Sequence, residues 1–247
     1  MSPSAYNEMA ATQAQHWWFC ARRTILREQL LALRLPPRAR ILEVGSGTGA
    51  NLDLLSEFGQ VVGLEMNPDA VAMARGACTR ENVELHVGRC PDDLDALGQG
   101  FDLICLMDVL EHIPQDSDTL ARLRSLLRPG GTILITVPAY PWMWGPHDAH
   151  LHHHRRYTPN SVARACGSAG LGVARITFFN TLLFPLALVA RLLERLRGTP
   201  GTGTRTPARL PNAVLREVFA FERYLLRSIP LPFGLSLLVL ARRAAPN

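Results

Sequence analysis

Residues 146–157 read Pro-His-Asp-Ala-His-Leu-His-His-His-Arg-Arg-Tyr, with five histidines, one aspartate and two arginines in twelve positions. Histidine and aspartate together can ligate a metal. Histidine beside aspartate also makes an oriented base, and arginines bind carboxylates and phosphates. A second stretch with chemical content is Leu-Glu-Val-Gly-Ser-Gly-Thr-Gly at 42–49. Glycines directly after an apolar run let the backbone turn and approach a ligand closely. Gly45, Gly47 and Ala50 satisfy the dinucleotide pattern G-x-G-x-x-A. Against that reading, Gly49 adds a third glycine in G-x-G-x-G spacing, and Glu43 puts a carboxylate where a dinucleotide-binding strand is apolar. Glu65, closing the next apolar run, suits a ribose diol under either reading.

These residues need a frame. From 40 to 137 the chain alternates strand and helix signals: strands at "RILEV", "VVGLE", "VELHV", "FDLICLM" and "TILITV", with helices between them. Asn67 and Pro68 make an N-cap and a first-turn proline, and Leu120, Leu123 and Leu127 share one helix face. Repeated βα units imply a parallel sheet with right-handed crossovers and helices on both faces. Such sheets bind ligands at the carboxyl ends of their strands. The glycine loop, Glu65, Asp108 and the segment after Val137 then surround one crevice. Beyond it, "LGVARITFF" reads as a sixth strand and "GLSLLVLARR" as a seventh, antiparallel one. Between them, 180–233 holds two helix patterns joined by the breaker-rich "RGTPGTGTRTPARLP".

At 247 residues and 47% hydrophobic, the chain can bury a full core. The expected architecture is α/β: a doubly wound, mostly parallel seven-stranded sheet with a C-terminal helical insert. It divides into an N-terminal helical cap (1–35), a core (36–179), the insert (180–233) and a last strand (234–247). All 26 basic residues are arginine. Residues 170–247 carry 11 arginines against 3 acids, net +8, and the first 169 carry 15 against 18, net −3. A basic, apolar tail on a mildly acidic body suggests a membrane surface or an anionic lipophilic partner; a solvated arginine face is the plainer alternative. The five cysteines form no CxxC and read as reduced thiols of a cytoplasmic protein. The first residues show neither a basic n-region nor an apolar h-region, so no signal peptide is expected. "ITFFNTLLFPLALVARLL" is broken by Asn180, Pro185 and Arg191, short of the ~20 apolar residues of a membrane span.

The stretches "ILEVGSGTGANL", "VVGLE", "FDLICLMDVLEHIP" and "LRPGGTILITVP" together resemble the class I S-adenosylmethionine-dependent methyltransferases. The resemblance covers 41–137. It implies S-adenosyl-L-methionine as cofactor, with Gly45, Gly47 and Gly49 against its methionine and ribose parts. It puts Glu43 on the methionine ammonium, Glu65 with the adjacent Met66 at the ribose, and Asp108 beside the methionine moiety and the substrate. The family often has Gly-Asp-Ala after strand three, where this chain reads Gly-Arg-Cys, so Asp92 and Asp93 stand as weak candidates for the adenine amino group.

"HWWFCARR" at 16–23, the histidine segment and the tail resemble a narrower set of bacterial methyltransferases of small or lipophilic molecules. That pattern marks His147, Asp148, His153, Arg155, Arg156 and Tyr157. The segment offers His153 or His147 as proton acceptor with Asp148 as the orienting partner; Arg155 and Arg156 either bind an anionic group of the substrate or anchor the loop to the body's acids, and Tyr157, Tyr140 and Trp18 are further candidates toward the substrate. His112, in "LEH", reads as a packing or capping residue and also as a third candidate base. Methyl transfer needs positioning, desolvation and, for a protic acceptor, a base near neutrality.

No metal is expected, because consecutive histidines in an extended loop point to opposite sides. The expected partner is a small, lipophilic metabolite, with peripheral membrane contact as an added possibility and no nucleic acid, since no aromatic-interleaved basic stripe is visible. Two other classes stay open on the residues alone: a cofactor-binding or RNA-binding protein without catalysis, and a nicotinamide-dependent reductase.

Overall fold

The structure, a computed structural model, describes residues 3–197 and 206–243. Part of the breaker-rich linker expected at 197–211 therefore lies outside the described residues. Two helices precede the sheet, α1 (Pro3–Thr12) and α2 (Trp17–Leu33). Then β1 (Ala39–Val44), α3 (Leu52–Ser56), β2 (Gly59–Glu65), α4 (Pro68–Ala77), β3 (Val83–Val87), β4 (Phe101–Met107), α5 (Asp116–Leu126) and β5 (Leu127–Pro138) follow in alternation. A five-residue helix, α6 (Pro146–His150), leads to α7 (Pro159–Ser168), β6 (Leu171–Phe179), α8 (Phe184–Arg197), α9 (Arg209–Ser228) and β7 (Ser236–Arg243).

The seven strands order as β3-β2-β1-β4-β5-β7-β6. All neighbours are parallel except β7, which runs antiparallel to both β5 and β6. The chain leaves β1 toward β2 on one side and returns to β4 on the other, so the sheet's topological switch lies between β1 and β4, the place where open α/β sheets bind ligands. β4 is buried along its whole length, as its unbroken "FDLICLM" requires of a strand covered on both faces. Asn67 caps α4 by accepting from the Asp69 and Ala70 N–H groups at 2.8 and 3.3 Å, with Pro68 in the first turn.

The insert is tied to the body at both of its helices. Glu222 of α9 is fully buried and accepts from the Asn180 and Leu182 N–H groups at 2.7 and 2.8 Å, closing the turn from β6 into α8. α9 also lies along α2, where Trp17 meets Phe219 edge-on at 6.0 Å. The N-terminal cap and the C-terminal insert therefore share one layer. The histidine segment departs from the extended loop expected of it: Pro146 at a first helical position and Asp148, accepting from the Gly145 N–H at 2.9 Å, start the short α6 instead.

Candidate active site

Two carboxylates end adjacent strands beside the glycine turn. Glu43, near the end of β1, is buried; its Oε1 accepts from Asn51 Nδ2 at 2.9 Å, and its Oε2 has no hydrogen-bond partner. Burial pushes its pKa up to about 7, against the opposing pull of Asn51 and Arg22. Glu65, at the end of β2, accepts from the Gly47 N–H on Oε2 at 3.0 Å and from the Tyr6 O–H and Asn67 N–H on Oε1, each at 2.9 Å. Gly45 and Gly47 have φ of 68° and 54°, and a Cβ on Gly45 would lie 2.6 Å from Val109 Cγ2. A Cβ on Gly47 would meet nothing within 4 Å, so this glycine faces open space with a left-handed backbone. Gly49 closes the turn, Met66 is exposed just past Glu65, and Asp92 sits exposed after β3 with no part in this group.

The N-terminal helices cover the crevice. Tyr6 of α1 reaches Glu65, and the Gln13 side chain exchanges hydrogen bonds with Thr48 of the glycine turn at 2.7 and 3.4 Å. Arg22 of α2, almost fully buried, places Nη2 2.7 Å from Asp108 Oδ2 and donates to Thr136 Oγ1 at 2.8 Å; Thr136 in turn donates to Asp108 Oδ1 at 3.2 Å. Asp108 adopts φ 59° directly after β4, a left-handed turn that aspartate tolerates better than most residues. Trp18 is half-buried with its ring 5.0 Å from the Arg22 guanidinium. Its indole thus backs the arginine that holds Asp108.

On the other wall, Asp148 is fully buried and accepts three hydrogen bonds: from the Gly145 N–H, from His153 Nδ1 at 3.0 Å and from Arg156 Nε at 2.7 Å. Burial opposes its charge, yet the His153 and Arg156 hydrogen bonds prevail and hold the carboxyl well below its usual range. Of the two histidines expected as partners of Asp148, His153 pairs with it; His147 does not, and is half-buried, its pKa lowered by burial. The two arginines and the tyrosine are committed within the chain. Arg156 also donates to the Ala139 carbonyl; Arg155 pairs with Asp116 at 2.8 Å and donates to the Pro114 carbonyl; the buried Tyr157 donates to Asp116 at 2.9 Å. They anchor the loop to β5 and α5. Tyr140, at φ 62°, stacks on Phe178 at 5.3 Å and meets Phe184 of α8 at 5.7 Å. His112 faces His153 edge-on, ring centroids 4.7 Å apart, next to the wholly buried Glu111. Burial lowers the His112 pKa to about 4, so its ring is neutral.

Four members of this group escaped the sequence reading. Tyr6 and Arg22 arrive from helices with no motif pointing at strand ends 59 and 86 residues away. Thr136 lies inside an apolar strand. Glu111 carried a signal, a carboxylate adjoining His112.

A model of the methyltransferase domain family matches residues 10–176. The ubiquinone biosynthesis O-methyltransferase of Xanthomonas campestris is 33% identical over 104 residues, 41% of this chain and 44% of that one. The trans-aconitate 2-methyltransferase of Deinococcus radiodurans is 33% identical over 105 residues, 42% of this chain and 39% of that one. The chain spans less than half the length of these two relatives. Among solved structures, a chain of the Haloferax volcanii complex of a methyltransferase activator with its methyltransferase has a TM-score of 0.63 at 21% identity, covering 98% of this chain and 97% of that one. The Haemonchus contortus phosphoethanolamine N-methyltransferase 2, solved with S-adenosylmethionine, has a TM-score of 0.55 at 17% identity, covering 88% and 52%. These two likenesses show the fold. The family match spans the glycine turn, both strand-end carboxylates and α2, and the chain belongs to the methyltransferase domain family.

Proposed function

We propose that the chain transfers a methyl group to an oxygen of a small, lipophilic metabolite bound between Asp108, His153 and Tyr140. The observation that carries the cofactor half is Glu43 Oε2, a buried carboxylate oxygen with no hydrogen-bond partner beside an open glycine turn. A buried carboxylate oxygen without a donor is costly, and the methionine ammonium supplies one. Glu65 takes the ribose hydroxyls beside its bond from Tyr6, and Gly45, Gly47 and Gly49 admit the cofactor backbone-close. Asp108, fixed by Arg22 and Thr136, stands between cofactor and acceptor.

The cofactor supplies an electrophilic methyl on a sulfonium; the chain's own residues position the acceptor, exclude water and relieve it of a proton. Of the two histidines expected to activate the acceptor, His153 is favoured, because Asp148 fixes its tautomer and leaves Nε2 free. His147 has no such partner and serves α6. An oxygen acceptor is supported by the relative named for O-methylation. Lipophilicity is supported by the aromatic wall of Tyr140, Phe178 and Phe184 and by the insert's exposed Leu186, Val189, Val214 and Phe221. The same apolar and arginine-bearing insert supports contact with an anionic membrane surface, from which such an acceptor would be drawn. Among the described residues no helix is long and apolar enough to cross a membrane.

The test is transfer of label from methyl-labelled S-adenosylmethionine into extracts of the producing cell, partitioned between organic and aqueous phases. Label in the organic phase, lost in His153→Ala and kept in His147→Ala, agrees with the proposal. Label only in the aqueous phase would exclude a lipophilic acceptor.

A further inference from the structure

From its sequence the protein is expected to hold no metal. The structure draws a different donor set from two segments. One ligand atom each from Glu111, His112 and His153 lie within 4.8 Å of one another. Glu111 and His112 come from a single turn of 3-10 helix, Leu110–His112, just after β4; His153 comes from the loop after α6. The His154 N–H donates to the Glu111 carbonyl at 2.8 Å and locks the two segments together.

Glu111 is the unusual member. It is fully buried, and neither carboxylate oxygen has a hydrogen-bond partner. A buried carboxylate in that condition costs several kcal/mol unless it is protonated or neutralised by a cation. The cations near it are spoken for, since Arg22 pairs with Asp108 and Arg156 with Asp148. The imidazoles are set up to ligate as well. His153 spends Nδ1 on Asp148 Oδ1 at 3.0 Å, leaving Nε2 as its ligating nitrogen, the carboxylate–histidine arrangement that orients ligands in metal sites. His112 meets it at an interplanar angle of 82°, so the two rings do not stack and each can present a nitrogen edge.

We propose that Glu111, His112 and His153 bind one divalent transition-metal ion at the acceptor side of the crevice. Two imidazole nitrogens and one carboxylate oxygen are the donor set of an open zinc site and suit Zn²⁺ or Fe²⁺ better than Mg²⁺, which prefers oxygen ligands throughout. A tetrahedral ion with bonds of about 2.1 Å keeps its ligands about 3.4 Å apart, so side-chain rotations of about 1 Å close the set. Three protein ligands leave a position for the acceptor oxygen. This deepens the methyl-transfer reading and rests on it for its chemistry: His153 activates the acceptor as a ligand of the ion instead of as a free base. The ion lowers the acceptor hydroxyl's pKa and the proton leaves to solvent. The oxygen then forms the new bond to the methyl carbon as the carbon–sulfur bond breaks, its electron pair staying on sulfur as the thioether.

Binding can be read without turnover. Wild type, Glu111→Gln, His112→Ala and the exposed control His150→Ala are stripped with chelator and titrated with Zn²⁺ by calorimetry, and bound metal is counted by elemental analysis after gel filtration. One ion per chain, unchanged in His150→Ala and weakened more than about 100-fold in Glu111→Gln and His112→Ala, supports the site; losing a residue that touches the ion should cost at least what losing one that only orients a ligand does. If His112→Ala fails to fold, His153→Gln gives the same reading. No stoichiometric binding by the wild type, or binding that survives Glu111→Gln and so belongs to surface histidines, overturns it. S-adenosylhomocysteine titrated into the same samples keeps this outcome separate: if the cofactor binds and Zn²⁺ does not, the metal site alone is wrong.

Discussion

The Tyr6 hydroxyl donates a 2.9 Å hydrogen bond to Glu65 Oε1, joining the first helix to the strand end that faces the crevice. Burial and the neighbouring carboxylate raise the tyrosine's pKa, so the phenol keeps its proton and the bond persists at neutral pH. A latch on the carboxylate proposed to take the ribose should make cofactor exchange depend on α1.

Tyr6→Phe is expected to speed S-adenosylhomocysteine dissociation while leaving the fold intact. Glu65→Ala is expected to weaken equilibrium binding at least tenfold, since each charge-assisted hydrogen bond it loses to the ribose is worth about 1.5–3 kcal/mol. Stopped-flow displacement and calorimetry measure the two. Glu65→Ala binding as tightly as wild type would remove that strand end from the site.

Glu43 gives a proton-linkage prediction. Burial raises its pKa to about 7, so a fraction of the molecules carry a proton there at neutral pH. The cofactor's ammonium favours the carboxylate, so binding lowers that pKa and releases a fraction of a proton. Affinity should rise with pH up to about 7 and then level. Calorimetry in buffers of different ionisation enthalpy counts the protons, and Glu43→Gln should abolish the release. Proton uptake on binding would contradict the assignment.

The parts legible in the sequence were those set by local pattern. β1 through β4 showed as apolar runs of strand length, and the glycine turn as a break no helix or strand tolerates. Glu43, Glu65 and Asp108 could be placed because each falls at a strand's carboxyl end. A motif singled out Asp148 with His147 and His153, and the fold chose between the two histidines. What the sequence hid depends on contacts between distant segments. Nothing near Arg22 announces Asp108, and nothing in "RRY" says whether its charges face a ligand or the loop's own aspartates. That choice is made by the burial of Asp148, which needs compensation from inside the chain.

The two adjacent arginines should therefore differ sharply. Arg156 is buried against a fully buried Asp148, and Arg156→Met leaves that carboxylate short of its cationic partner, at a cost of about 3 kcal/mol or more. Arg155 pairs with Asp116 while about a third of its side chain is exposed, and Arg155→Met should cost under about 1 kcal/mol. Urea denaturation of both variants measures this. Equal losses would mean that the loop is not held through Asp148.

The insert carries the last prediction. Leu186 and Val189 on α8, and Leu210, Val214 and Phe221 on α9, are more than half exposed, in a tail whose net charge is +8. Large exposed apolar side chains mixed with arginines suit the headgroup region of an anionic membrane, where burial and charge attraction add. The protein is expected to float with vesicles containing anionic lipid and to release as salt rises, because attraction between exposed charges is screened within about 10 Å at 0.1 M. Leu186→Glu with Val214→Glu should abolish flotation and leave cofactor binding as it was, since neither residue contacts the glycine turn. Flotation that ignores both salt and these substitutions would rule out the insert as the contact, and its apolar side chains would then have to be covered by a second copy of the chain, visible as a dimer in light scattering.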